Sequence, residues 1–359
     1  MSAPGTAATG SPSLALASAE PAVADPLDEL ARIVAAEIAA PASPAARALA
    51  RELKRRHGDA EMAVLHYGSC LRAPSSTSGV YDFYVLVDGY LRAYRGSEGP
   101  YGARRGLLRA AALAVANRLL PPNVFYLELP HGGLRLRAKY AVISRRDFAR
   151  AVGPRFLHSM VWARFSQPFL ALEVRDAASR TAVVQGALRA IETLCARLLP
   201  LLPATATGSR VPTAFAWEHV FRETYRAELR AEGRDTVARI YSFAHERYDR
   251  VATLALRDLA RRGRLGLDED GAFLRLRVSA WRRRRARLSW LWRRRLGKAL
   301  AVANLVKTAF TFGDWVPYVL WKVERHTGVR VVPTPRQRRH PFVFGWPVIL
   351  RLLRLRDLR

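Results

Sequence analysis

The stretch Val64–Gly89, VLHYGSCLRAPSSTSGVYDFYVLVDG, decides how the rest of the chain is read. An apolar run stops at Gly68-Ser69, a loop of small residues follows, and a second apolar run opens with an acid, Asp82. Met62–Tyr67 and Tyr81–Val87 both carry the β-branched and aromatic residues of strands. A carboxylate at the head of a buried strand is costly unless it is hydrogen-bonded, paired or bound to a cation. Two readings stand at this point. In one, Gly-Ser is an ordinary turn and Asp82 caps a strand end. In the other, the glycine and serine offer bare amides and a hydroxyl to phosphates, and the carboxylate holds Mg²⁺ against them.

The second arrangement is that of a nucleotidyltransferase of the DNA-polymerase-β type. Ser69 precedes Asp82 by thirteen residues, enough for the chain to leave one strand and return on its neighbour. Such enzymes place a second acid two residues after the first, and that position holds Tyr84. Asp88 shares the strand face, but six residues of strand span about 20 Å, whereas paired metals sit about 4 Å apart. Glu128, on a later strand, is the better candidate for a second metal carboxylate beside Asp82; its other reading is a solvent-facing edge residue.

Working outward, Asp28–Ala39 and Pro44–His57 have helical periodicity, as does Ala103–Leu119 up to Pro121-Pro122. Val124–Leu129 and Leu134–Ile143 read as strands joined by His131-Gly132-Gly133. From Phe148 the pattern is mostly helical, clearest over Ala177–Leu199, then Trp217–Ala231 and Asp235–Gly263. The fold class expected is α+β: a disordered segment 1–24, a nucleotidyltransferase-like domain 25–150, a helical domain 151–272 and a basic, Trp-rich region 273–359.

The chain carries 59 Lys and Arg against 30 Asp and Glu, a net charge of +29. That excess calls for a polyanionic partner: nucleotide phosphates, an anionic bilayer or nucleic acid. Two cysteines, Cys70 and Cys195, cannot build a disulfide framework and point to a reducing compartment. The N-terminus lacks the basic n-region of a secretory signal. No run of about 18 apolar residues occurs, so the expectation is a protein that does not span a membrane.

The blocks HYGSC…YDFYVLVDG, PPNVFYLEL, LRAKYAVIS and VWARFSQPF, in that order, resemble the mitochondrial CDP-diacylglycerol synthase family, also called translocator assembly and maintenance proteins, which has bacterial relatives. The resemblance covers about Leu65 to Leu172. It implies a peripheral enzyme, here at the cytoplasmic face of a bacterial inner membrane, that joins CTP to phosphatidate with Mg²⁺, giving CDP-diacylglycerol and pyrophosphate. Position by position it implies Asp82, Lys139 and Arg164 as catalytic residues, and Tyr67, Gly68, Ser69 and Tyr140 as nucleotide-binding ones. Asp82 would hold the metal; Lys139 and Arg164 would neutralise phosphates. The chain has Cys70, Leu127 and Gln167 where the family has Gly, Asn and Lys. In FRETYRAELRAE, Tyr225, Arg226, Glu228 and Arg230 read as an exposed helix face with internal ion pairs, or else Arg226 meets a lipid phosphate.

The segment WRRRRARLSWLWRRRLGKALAVANLV, Trp281–Val306, has no acid. Arg284 and Arg294 with Trp290 and Trp292 form an expected membrane-docking set, since Trp favours the interface and Arg an anionic leaflet. VILRLLRLRDLR at 348–359 has the same character. Packing of the apolar face on the same chain is the alternative, and nucleic acid the least favoured partner. The rival functions are a nucleotidyltransferase for RNA or a soluble phosphate acceptor, and a non-enzymatic basic scaffold.

Overall fold

A computed structural model describes residues 25–72, 79–96, 106–202, 213–227, 234–264, 266–270, 273–311 and 334. The expected disordered segment 1–24 and the basic stretch 348–359 lie outside them. Among the described residues, twelve α-helices surround a five-stranded mixed sheet, and a two-stranded hairpin stands apart, so the class is α+β.

The two apolar runs of the opening stretch are β1 (Glu61–Tyr67) and β2 (Val80–Val87), paired antiparallel with Tyr67 opposite Asp82. β2 pairs in parallel with β4 (Leu134–Ser144), which places Lys139 beside Asp82. β3 (Asn123–His131) and β4 form the antiparallel hairpin expected from His131-Gly132-Gly133, with Gly132 and Gly133 both at positive φ. β5 (Leu170–Val174) closes the far edge on β1, giving the order β3-β4-β2-β1-β5. This last strand falls where the sequence pattern reads as helical; five residues at a sheet edge are too few to show a period of two.

Both faces of the sheet are covered, which is why its central strands are continuous apolar runs rather than alternating ones. On one face Val64, Phe83, Val85, Ala138, Tyr140 and Val142 pack with α2 (Pro44–His57), α4 (Tyr90–Gly96) and α5 (Leu107–Leu119). On the other, Leu65, Tyr84, Leu86, Ala141 and Ile143 meet α1 (Pro26–Ile38), α6 (Arg145–Ala151), α7 (Met160–Phe165) and α8 (Ala177–Leu198). Each large side chain so buried contributes about 1.5–3 kcal/mol. This second core continues through α9 (Thr213–Ala227), α10 (Arg234–Phe243), α11 (His245–Arg261) and α12 (Ala280–Thr311). It therefore runs across the expected boundary near residue 150. β6 (Gly266–Asp270) and β7 (Phe273–Arg277) form the hairpin that precedes α12.

Helix ends follow their caps. Asp25 accepts from the Leu27 amide at 2.9 Å and Ser43 from that of Ala46 at 3.2 Å, each just before a proline at the first helical position. α12 departs from expectation in which face it buries. Trp290 is only 4% exposed; it lies against Trp162 and donates to Glu223 Oε2 at 3.0 Å. Arg294 pairs with the same carboxylate. Burial pushes Glu223 up, but Arg294 and Arg226 outweigh it and hold the carboxyl below its ordinary value. Trp290 and Arg294 therefore fasten α12 to α9 and are not docking residues. The reason is periodicity: residues 290 and 292 lie about 200° apart around a helix, so burying one exposes the other. Trp292 is 66% exposed and Arg284 is exposed as well.

Candidate functional site

At the end of β1 the chain turns through Gly68, whose φ of +93° lies in the left-handed region that favours glycine. A β-carbon at Gly68 would lie 2.7 Å from Asp82 Oδ2. The hydrogen-only α-carbon is thus what lets the turn close over the carboxylate. Ser69 then opens α3 (Ser69–Arg72), a single helical turn that brings Arg72 back to the same place. Cys70 points the other way, buried, with its thiol donating to the Val80 carbonyl at 3.3 Å.

Tyr67, Gly68, Ser69, Arg72, Asp82, Arg164, Gln167, Pro168 and Tyr225 line one pocket of about 130 Å³. The Arg164 guanidinium sits over the Tyr67 ring, 4.4 Å from its centroid, a cation–π placement that fixes its reach. Lys139 Nζ approaches Asp82 Oδ1 at 3.8 Å from the neighbouring strand. Burial pushes the Tyr67 phenol well above its ordinary value; Asp82 pushes it the same way, and Arg164 opposes. Tyr67 is therefore a neutral hydroxyl at any physiological pH. Behind Asp82, on the far face, His66 Nδ1 lies 3.2 Å from the Asp82 carbonyl, and burial lowers its pKa. The neutral ring steadies the backbone at Asp82.

Of the residues singled out in the sequence, Tyr67, Gly68, Ser69, Asp82 and Arg164 converge, with Lys139 at the rim. Two do not join them. Tyr140 is buried on the opposite face, stacked on Phe125 at 5.4 Å and edge-on to His57; consecutive strand residues point to opposite faces, so Lys139 and Tyr140 cannot both face Asp82. Leu127 is buried on that far face too, so the family's Asn at this position has no counterpart at the pocket. Glu128 shares the Asp82 face but stands opposite Arg137, bonded to Tyr126 at 2.8 Å and paired with Arg135 and Arg137. Two strand spacings and two residues place its Cα roughly 12 Å from that of Asp82. It does not supply the second carboxylate, and no cluster of three or more His, Cys, Asp or Glu suited to a metal occurs among the described residues.

The sequence assigns no pocket role to four lining residues: Arg72 and Pro168 are not singled out, Gln167 is noted only where the family has Lys, and Tyr225 is expected on an exposed helix face. Arg72 had a local signal, one helical turn after Ser69. Gln167 and Pro168 lie in the block that carries the resemblance. Tyr225 is 9% exposed and comes from α9, more than a hundred residues downstream, while its neighbour Arg226 faces outward and pairs with Glu223 at 2.9 Å. The exposed face expected for Tyr225 is not found: with Trp217 and Phe221 it recurs every four residues on the buried stripe of α9, while Glu228 and Arg230 lie outside the described residues.

Asp82 and Ser69 fit one divalent cation. Mg²⁺ commonly takes one or two carboxylates and completes its shell with water and substrate phosphates. The donors do not fit two metals, because the position two residues on is Tyr84, buried at 2% exposure. No protein-family model and no curated protein matches the chain.

Proposed function

We propose that the pocket at Asp82 is the active site of a nucleotidyltransferase with a polymerase-β-type head, which transfers cytidylate from CTP to phosphatidate. The observation that carries this reading is the closure of Gly68 over Asp82 in a pocket that also holds Ser69, Arg72 and Arg164. A glycine turn, one carboxylate and two guanidiniums in so small a space suit a phosphate group better than a neutral ligand. The cavity is below the roughly 300–1,000 Å³ of whole-ligand sites. It takes a phosphate, and the rest of the nucleotide would lie on the open strip around Lys139.

The chemistry asks for alignment rather than a strong base. A phosphatidate oxygen, already ionised at neutral pH, attacks the α-phosphorus of CTP; a P–O–P bond forms, the α–β bridge breaks and pyrophosphate leaves. Asp82 would hold Mg²⁺, which supplies charge neutralisation on the phosphates. Arg72, Arg164 and Lys139 orient and neutralise the phosphates. Tyr67 donates a hydrogen bond and takes no proton.

Docking on an anionic bilayer fits the outer face of α12. Trp281, Leu288 and Trp292 are exposed along one stripe with Arg284, Arg285 and Arg295, and residues 280–311 contain no acid. Apolar insertion flanked by arginines complements an anionic headgroup layer. Among the described residues no helix is long and apolar enough to cross a membrane.

The test is Mg²⁺-dependent formation of CDP-diacylglycerol by the full chain on phosphatidate vesicles. Wild type should turn over, and Asp82→Asn, which keeps the shape, should lose at least about a hundredfold, the scale for removing a key electrostatic group. Turnover on soluble acceptors without lipid would replace the acceptor in this reading. Absence of CTP consumption with every acceptor would end it.

A further inference from the structure

A second cavity, of about 880 Å³, lies away from the Asp82 pocket and shares no lining residue with it. Its floor includes Leu30, Leu188 and Phe156, and its rim carries Arg150, Arg155 and Arg189. Two more rim arginines are already neutralised: Glu192 pairs with Arg264 at 2.9 Å and with Arg262 at 3.5 Å, and Arg262 also pairs with Asp258. Arg150 makes one long contact, 3.5 Å, to Asp147. No acid pairs with Arg155 or Arg189 among the described residues. The cleft therefore has a surplus of positive charge over an apolar floor.

The rim is also held in place. Residues 152–159 form the loop that carries Arg155. Its carbonyls turn inward: that of Val152 accepts from Thr193 at 2.8 Å, that of Pro154 from Arg197 at 2.6 Å and from the buried Arg293 at 3.0 Å, and that of Leu157 from Arg293 at 3.1 Å. Carbonyl oxygens that would repel an anion are thus already taken by protein donors. Gly153 gives Arg189 its seat, since a β-carbon there would lie 3.2 Å from the Arg189 Nε. A prearranged rim needs little ordering on binding.

We infer that this cleft is a second binding site, for an amphiphile carrying a phosphate group. Guanidinium forks recognise phosphate oxygens in pairs, the floor accepts a hydrocarbon body, and the volume falls within the range of small-molecule sites. A soluble phosphate ester and a lipid headgroup present the same chemistry. The inference does not depend on the activity proposed for Asp82.

The experiment is calorimetry on the full chain at fixed salt, with dihexanoyl phosphatidate kept below its aggregation limit, inorganic phosphate, and phosphatidylcholine vesicles containing phosphatidate. Hydrogen exchange over residues 150–158 and 185–192 reports where the ligand sits. Both Arg155 and Arg189 are exposed, so Arg155→Ser with Arg189→Ser should fold normally. That variant should bind dihexanoyl phosphatidate at least about tenfold more weakly, the scale of one charged hydrogen bond, and lose the protection. Arg109→Ser with Arg118→Ser removes equal charge from α5 and should bind as wild type does. Dependence on Arg155 and Arg189 with the soluble ester alone assigns soluble esters; dependence with vesicles too assigns lipid headgroups. Equal loss in both double variants, unchanged affinity in the first, or inorganic phosphate binding as tightly as the ester would overturn the proposal.

Discussion

Gly68→Ala probes the turn and the pocket together. An L-residue held at φ +93° costs about 1–2 kcal/mol from the backbone alone. The new methyl would also meet Asp82 Oδ2 at 2.7 Å and Asp82 Cβ at 3.3 Å. Cβ is fixed to the strand, so the carboxylate must rotate away, for about 1 kcal/mol more in an off-rotamer side chain. The expected destabilisation is therefore about 2–3 kcal/mol, read by urea denaturation. A carboxylate displaced by about 1 Å should lower CTP turnover on phosphatidate vesicles around a hundredfold, read as pyrophosphate release. Asp82→Ala removes the clashing oxygen, so in that background Gly68→Ala should lose only its backbone share; the difference is a coupling of about 1 kcal/mol. Wild-type stability in Gly68→Ala would refute the closure. A destabilised variant with full turnover would show that the Asp82 carboxylate is not what the activity requires.

Three further outcomes follow from other contacts. Lys139→Ala breaks a half-exposed pair worth at most about 1 kcal/mol, so its melting temperature should barely change while turnover falls; a variant that unfolds, but whose folded fraction is fully active, makes Lys139 structural. Trp290→Ala should cost about 3–5 kcal/mol and Trp292→Ala within about 0.5 kcal/mol, while only the latter, combined with Trp281→Ala, should weaken binding to anionic liposomes; the reverse pattern would restore Trp290 as the docking residue. Burial, with Glu173 adding to it against Lys54 and Arg175, pushes Glu61 from 4.5 up to about 7. The folded state then holds this proton more tightly than the unfolded one, so stability falls as pH rises from about 4.5 to about 7 and is level above, a contribution of about 3 kcal/mol. Glu61→Gln should remove that slope in urea titrations at pH 5 and pH 8, and an unchanged slope would put the titration elsewhere.

The strands around the pocket were legible because their signals are local. Gly68-Ser69 ends one apolar run, Asp82 heads the next, and a step of thirteen positions from Ser69 to Asp82 suffices to make the two adjacent. Lys139 is named through the resemblance, and the parallel pairing of β4 with β2 is what sets it beside Asp82. Tyr140 is named from the resemblance alone, and the local pattern argues against it: Arg135, Arg137 and Lys139 alternate with Leu136, Ala138 and Tyr140, which puts Tyr140 on the face away from Asp82. Glu128 failed on distance across the sheet, since strand order is not written in any one segment. Tyr225 is expected on an exposed face; its spacing from Trp217 and Phe221 puts it on the buried stripe of α9, and only the packing of α9 on α7 brings that stripe to the pocket that Arg164 lines.

The basic helix shows the same limit with a different consequence. Trp and Arg in WRRRRARLSWLWRRRLGKAL are so closely interleaved that several apolar stripes can be drawn through them. The choice is made by partners elsewhere. Glu223 offers a carboxylate to Trp290 and Arg294, the carbonyls of Pro154, Phe156 and Leu157 accept from Arg293, and Gly297 passes close enough to the Ala227 carbonyl that a β-carbon would lie 2.9 Å from it. These contacts turn the 290–293–297 stripe inward. With Trp290 and Arg294 both bonded to Glu223 inside the protein, Trp281, Leu288 and Trp292 are left on the outside, Trp281 under the Arg285 guanidinium at 5.4 Å. Three large apolar side chains in water lower solubility and do not help the fold. They lie beside Arg284, Arg285 and Arg295, which is why the bilayer proposed above is tested through Trp281 and Trp292 rather than through Trp290.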